Sequence, residues 1–183
     1  VVPVWTDNSF LKPMPEKENL FIRKYHLENR FLIIYSGNLG YSHPIEILLD
    51  VAKSITHPEI LFVIIGDGDK KESLQKRIAA ESLKNCLMLP WQEVEMLPHS
   101  LAASNIAVVS LGKEASLLSV PSKTFNLMSV GAPLLCIADK SSELAHLLDT
   151  YQNGKCFAEN ETGEMCVYIE ELFRDNDYRI RLM

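Results

Sequence analysis

Positive charge is in short supply: 18 lysines and arginines stand against 24 aspartates and glutamates, giving a formal net charge of −6. That balance argues against non-specific nucleic-acid binding, which depends on broad positive potential and counterion release. An anionic small ligand would need local donors instead, meaning backbone N–H groups and one or two well-placed cations acting against a repulsive overall field. Cysteine is scarce as well. Cys86, Cys136, Cys156 and Cys166 have no CxxC spacing and lie mostly inside apolar runs, so reduced core thiols are expected rather than disulfides or zinc ligands, which favours a cytoplasmic home. No apolar run approaches the roughly 18 residues that a spanning helix requires, and VVPVWTDNSF lacks the charged-then-apolar order of a signal peptide, so a soluble chain without membrane contact is expected. The five histidines have no matching Ser/Asp or Cys constellation, and no cluster has metal-ligand spacing, so neither a nucleophilic triad nor a metal site is supported.

The chain does contain a regular alternation. With 183 residues and 47% hydrophobic content it can bury a proper core, and one domain is expected. Apolar runs that read as strands, FLIIY (31–35), ILFVIIG (60–66), CLML (86–89), IAVVSL (106–111), PLLCIA (133–138) and KCFA (155–158), alternate with helical stretches. The helices are predicted over 45–55, 71–83, 94–104, 121–131 and 142–150, with a final helical region from about Thr162. Strands apolar on both faces, linked by helices, imply a doubly wound, mostly parallel Rossmann-like α/β sheet covered on both sides. Residues 1–30 read as a linker and lead-in from an upstream domain and 31–183 as the Rossmann-like domain; the stop at RIRLM inside an amphipathic pattern suggests a piece of something longer.

Chemistry in such a sheet belongs to the loops at the carboxyl ends of the strands. The first loop is Ser36-Gly37-Asn38-Leu39-Gly40-Tyr41-Ser42, whose glycines permit a close backbone approach to a ligand ahead of a helix start. It lacks the GxGxxG spacing of a dinucleotide loop, because Leu39 and Ser42 occupy the required glycine positions. A plain β-α turn remains the other reading. The second is Gly66-Asp67-Gly68-Asp69, where Asp67 can accept from ribose hydroxyls or the turn can simply cap the next helix through Asp69. In the third, Val120-Pro121-Ser122-Lys123, Pro121 suits the first helical position and puts Lys123 in the first turn. A cation there opposes the helix dipole by about 0.3–1 kcal/mol, a sign that a bound anion reverses. A lysine swung into solvent, or paired with Glu114, is the alternative. Leu89-Pro90-Trp91 can present an aromatic face to a nucleobase or cover the sheet's edge.

In order, VVPVWTDNSFLKP, FLIIYSGNLGYSHPIEILLDVAKSI, LFVIIGDGDKKESL and VPSKTFNLMSVGAPLLCIADKSSELAHLL resemble glycosyltransferase family 4, of the GT-B fold, and within it the bacterial enzymes that build capsule, O-antigen or colanic-acid repeat units. The most specific part is PSK followed by Gly131-Ala132-Pro133, in register after the GDG and glycine loops. The resemblance implies the donor-binding half of a retaining enzyme that transfers sugar from a UDP- or GDP-sugar without a metal, with the acceptor held by a separate N-terminal domain. It implies that Gly37, Asn38 and Gly40 lie near the diphosphate and that Lys123 neutralises it. Gly66, Asp67, Gly68, Leu89, Pro90 and Trp91 would surround base and ribose, and Ser119, Val120 and Ser122 would line the same pocket. Asn38 and His43 stand nearest to where many members carry an arginine and a lysine. The family's two glutamates fall at Leu118 and at Asn126, where the donor ribose would be held; Glu114, out of register, is the nearest carboxylate to a catalytic role. A nucleotide-sugar epimerase of the same fold and a non-catalytic flavodoxin- or receiver-like module are the competing readings, and the loop after FLIIY lacks the carboxylate a receiver needs.

Overall fold

The computed structural model describes residues 6–116 and 120–183, except for the side chains of Lys113 and Glu114. A 3-10 turn at Glu16–Glu18 precedes helix α1 (Leu20–Tyr25) and strand β1 (Phe31–Ser36). The chain continues through α2 (Ile47–Ser54), β2 (Ile60–Ile65), α3 (Lys71–Ala80), β3 (Cys86–Leu89), α4 (Leu97–Ala102) and β4 (Ile106–Ser110). Then come α5 (Lys113–Ser116), α6 (Lys123–Ser129), β5 (Leu134–Ile137), α7 (Glu143–Tyr151), β6 (Gly154–Phe157), α8 (Thr162–Arg174) and α9 (Asn176–Arg181). All six strands are parallel in one sheet of order β3-β2-β1-β4-β5-β6. Winding runs outward from β1 to β3 and then restarts on the other side at β4, so the loops after β1 and β4 part company and leave a crevice at the carboxyl edge. The doubly wound α/β sheet expected from the sequence is the fold.

Two buried faces explain why the strands read as continuous apolar runs. Ile33 and Tyr35 of β1 and Phe62 and Ile64 of β2 pack under Leu48 and Val51 of α2 and Met165 and Ile169 of α8. Their neighbours Leu32, Ile34, Leu61 and Val63 face the other way, onto Phe21 and Ile22 of α1. On that same side Ala107 and Val109 of β4 meet Leu127 of α6 and Leu144 and Leu148 of α7. Each fully buried leucine or isoleucine contributes roughly 1.5–3 kcal/mol of transfer free energy. The edge strands β3 and β6 are only partly buried, unlike the four between them.

Several predicted boundaries move for identifiable reasons. VEMLPHSLAAS splits into a 3-10 turn at Val94–Met96 and then α4, because Pro98 has no N–H to give and is tolerated only in a helix's first turn. The C-terminal region breaks at Asp175, whose carboxylate accepts from Tyr178 N at 2.8 Å and caps α9. Pro121 does not occupy the first helical position: α6 begins at Lys123, after Ser122. Within the lead-in, Asn19 caps α1 by accepting from Phe21 N and Ile22 N, and its Nδ2 donates to the His99 carbonyl at 2.8 Å. His99 Nδ1 accepts from Leu20 N at 3.1 Å, so that histidine has a structural task. All four cysteines are free; Cys136 is fully buried, and burial pushes its thiol well above the ordinary range and that of Cys156 up to about 11.

Candidate functional site

The two glycine turns interlock at the carboxyl edge. Gly37 N donates to Ile65 O at 3.0 Å and Gly66 N to Leu89 O at 3.1 Å, carrying the sheet ladder past the strand ends. Leu39 N then donates to Asp67 O at 2.8 Å and Lys70 N to Leu39 O at 2.9 Å, which ties the loop after β1 to the loop after β2. Gly66 has φ +149°, and a Cβ there would stand 2.0 Å from the Gly37 carbonyl oxygen, so no other residue fits. The Asn38 side chain folds between the turns, its Oδ1 2.7 Å from where a Gly68 Cβ would be and its Nδ2 2.9 Å from the same point on Gly40. The N–H groups of Asn38, Gly40 and Tyr41 have no partner among the described residues.

Lys123 reaches this corner from α6. Its Nζ lies 4.1 Å from the Tyr35 ring centroid, a cation–π distance, and 2.9 Å from where a Cβ on Gly37 would sit. Among the described residues the ammonium has no hydrogen-bond or ion-pair partner, and burial lowers its pKa from the usual 10.5 to about 8. Tyr35 closes the floor: it is fully buried, burial raises its pKa, and its phenol donates to Asn38 O at 2.7 Å, holding the glycine loop. The amino end of α6 contributes less than the sequence suggests. Thr124 N and Phe125 N are already bonded to Pro121 O and Ser122 O, at 2.9 and 3.2 Å, in a helix of only seven residues. The positive charge here is therefore that of the ammonium, with the free loop amides beside it.

The other predicted residues distribute along the same edge. Asp67 is partly exposed; its Oδ2 pairs with Lys71 at 2.6 Å and its Oδ1 accepts from Gly68 N at 2.9 Å, and together these hold its carboxyl below the ordinary range. Asp69 does not cap α3, which follows Lys70 with no side-chain cap. Leu89 is buried, Pro90 is exposed and Trp91 is 54% exposed, at the end of β3, two strands from β1. Ser122 is exposed, Val120 packs partly into the α6–α7 side of the core, and Asn126 lies one turn beyond Lys123 with its carbonyl taken by Val130 N. Ser119 and the glutamate position at Leu118 lie outside the described residues, as does the side chain of Glu114.

Sequence reasoning passed over Tyr35, Lys70 and Ser110, and reached His43 only through the family resemblance. Lys70 Nζ donates to His43 O at 2.8 Å and pairs with Glu46 at 2.7 Å, pinning the β2 turn to the loop after β1. His43 Nδ1 is 2.6 Å from Ser110 O, which links that loop to the end of β4. Tyr35 and Ser110 carried one weak signal, a polar atom closing an otherwise apolar strand. Among the described residues no three His, Cys, Asp or Glu side chains form a metal-binding group. No described helix is long and apolar enough to cross a membrane. A cavity of about 510 Å³ lies elsewhere, between β6 and α8, but Glu164 and Glu171 line it and its Lys155 already faces Glu171 at 3.6 Å, so it repels anions.

The family described as Glycosyl transferases group 1 matches residues 16–182. The chain belongs to that family. Among other group 1 glycosyl transferases, it is 29% identical over 140 residues to a protein of Escherichia coli K12 that carries the name colanic acid biosynthesis glycosyl transferase WcaI, in a match covering 76% of this chain and 34% of that one. It is 25% identical over 171 residues to the Pseudomonas aeruginosa protein named as glycosyltransferase WbjE, covering 92% and 42%. The chain thus spans well under half the length of these relatives. Anabaena HepE, solved in complex with UDP and glucose, superposes with TM-score 0.80 at 17% identity, covering 97% of this chain and 48% of that one. The C-terminal domain of the group 1 protein LpcC from Francisella tularensis superposes with TM-score 0.76 at 14% identity, covering 97% and 92%. At those identities the likeness is one of fold.

Proposed function

We propose that this chain is the donor-binding half of a retaining glycosyltransferase that transfers sugar from a UDP- or GDP-sugar to an acceptor in cell-surface polysaccharide assembly. The observation that carries the reading is Lys123: a half-buried lysine whose ammonium is partly desolvated and has no counter-charge among the described residues, set against Gly37 where two glycine turns and free loop amides converge. Burying a cation unpaired is unfavourable, and a diphosphate supplies the missing negative charge. In glycosyl transfer the bond to the diphosphate breaks as negative charge grows on the leaving oxygen. Donors fixed around that position stabilise it without reorganising, so the same ammonium that binds the donor lowers the barrier. Asn38 and the amides of Gly40 and Tyr41 would flank the phosphates, Asp67 and Asn126 would hold ribose hydroxyls, and Trp91 would offer its exposed ring to the base. Ser119, Val120 and Ser122 keep the pocket-lining roles that the family resemblance implies, and Glu114 stays the nearest carboxylate to a catalytic role. No metal enters this scheme.

Relatives lend the direction: WcaI is named for colanic acid biosynthesis, and HepE was solved with UDP and with UDP-glucose. Calorimetric titration with UDP, GDP and UDP-glucose checks the reading, with saturable binding of at least one expected and none at millimolar concentration contradicting it.

A further inference from the structure

At the end of β4 a hydroxyl has been removed from water without a replacement partner. Ser110 is fully buried, and its Oγ makes no hydrogen bond among the described residues. Buried hydroxyls are nearly always paired; among the described residues those of Thr6, Ser104 and Thr124 share this state, and Ser110 is the one of the four that lies in a strand. Strand alternation places Ser110 on the face of Ile106 and Val108, which is also the face of Tyr35. Tyr35 pairs with Val108 in the last rung that the two strands share; Ser110 lies two residues beyond it on β4, and Gly37 two residues beyond it after β1. That is the point at which Lys123 Nζ comes within 2.9 Å of the vacant Cβ position. Among the described residues, an unpaired hydroxyl at the end of β4 and an unpaired ammonium beside the residue that follows β1 therefore stand where these two neighbouring strands part.

The main chain around Ser110 is held from outside. Its carbonyl, which can only accept, lies 2.6 Å from His43 Nδ1, so that nitrogen carries the proton, and Gly112 N donates to Ser42 O at 2.7 Å on the other side of the same contact. We propose, resting on the donor-site reading above, that Ser110 Oγ donates a hydrogen bond to a non-bridging diphosphate oxygen of the bound nucleotide, beside Lys123. Both groups are then donors to one anion.

The test is Ser110→Ala, assayed by thermal melting and by titration with UDP, GDP, uridine and guanosine, with Ser104→Ala as the control for losing a buried, unpaired hydroxyl elsewhere. Removing a group that has no partner should leave the melting temperature of the free protein unchanged or raised. Affinity for whichever diphosphate the wild type binds should fall about tenfold to a hundredfold, the usual loss for a bond to a charged acceptor. Affinity for the parent nucleoside should not change, nor should Ser104→Ala alter either. Ser110→Cys, which keeps the volume with a weaker donor, should fall between. Undiminished diphosphate affinity in Ser110→Ala overturns the assignment, as does an equal loss of nucleoside and diphosphate binding or a lowered melting temperature in the free protein. If Lys123→Met loses diphosphate while Ser110→Ala does not, the donor site stands and Ser110 is not part of it. If the wild type binds neither diphosphate, the donor reading fails and takes this assignment with it.

Discussion

Lys123 is held between two states of charge, and that makes it testable by pH. Burial lowers its pKa to about 8 in the folded chain against 10.5 when exposed. Between those values the unfolded chain holds a proton that the folded chain has released, so this residue makes stability rise with pH across the window. Diphosphate affinity moves the opposite way, because the anion requires the ammonium and loses it as pH climbs past about 8. Titrations at pH 7 and 9.5 should therefore show weaker diphosphate binding at the higher value, and Lys123→Met should be weak and flat at both. The glycines separate in the same manner. At Gly37 a methyl would meet the flexible Lys123 Nζ at 2.9 Å and the buried Tyr35 hydroxyl at 3.1 Å, so Gly37→Ala should displace the cation and weaken diphosphate binding, at a smaller cost in stability than at Gly66. At Gly66 the obstacle is the rigid Gly37 carbonyl at 2.0 Å, and φ is +149°, so Gly66→Ala should lower unfolding free energy by on the order of 3 kcal/mol, read by denaturant titration.

Elements in this chain owe their boundaries to single polar residues. Ser142 is buried at the start of α7 and its hydroxyl accepts from Ala145 N at 3.2 Å, so Ser142→Ala should cost about 1 kcal/mol in chemical denaturation. Strand positions were legible because their apolar runs serve two buried faces, and the helices between them because parallel pairing demands a crossover. What escaped the sequence was shorter in range than any periodicity. Pro98 divides a helix that hydrophobic spacing reads as continuous, and α6 starts two residues later than Pro121 suggests, with two of its leading N–H groups satisfied locally. Asp67, Gly37, Gly66 and Lys123 were visible as loop residues at strand ends. Tyr35 and Lys70 were not, nor was the contact that His43 makes, because such roles come from contacts between segments far apart along the chain: Lys123 to Tyr35, Lys70 to Glu46, and His43 to the end of β4.

At the scale of the molecule, a net charge of −6 means that no general attraction brings an anion to this surface; the site must act through groups a few ångströms away. The sheet supplies that by bringing the ends of β1, β2 and β4 together where the winding reverses. On the proposed reading, in which a second domain holds the acceptor, this chain should also separate binding from turnover. Incubated alone with UDP-glucose, it should release neither free sugar nor an epimerised donor, as analysed by chromatography. The central claim, that Lys123 receives a sugar nucleotide's diphosphate at the β1–β4 crossing, is tested most directly by a crystal structure at saturating UDP or GDP. The account predicts a phosphate oxygen within hydrogen-bonding distance of Lys123 Nζ, with the base toward Trp91. Nucleotide bound anywhere else on the chain, such as the cavity between β6 and α8, or absent from both soaks, would contradict it.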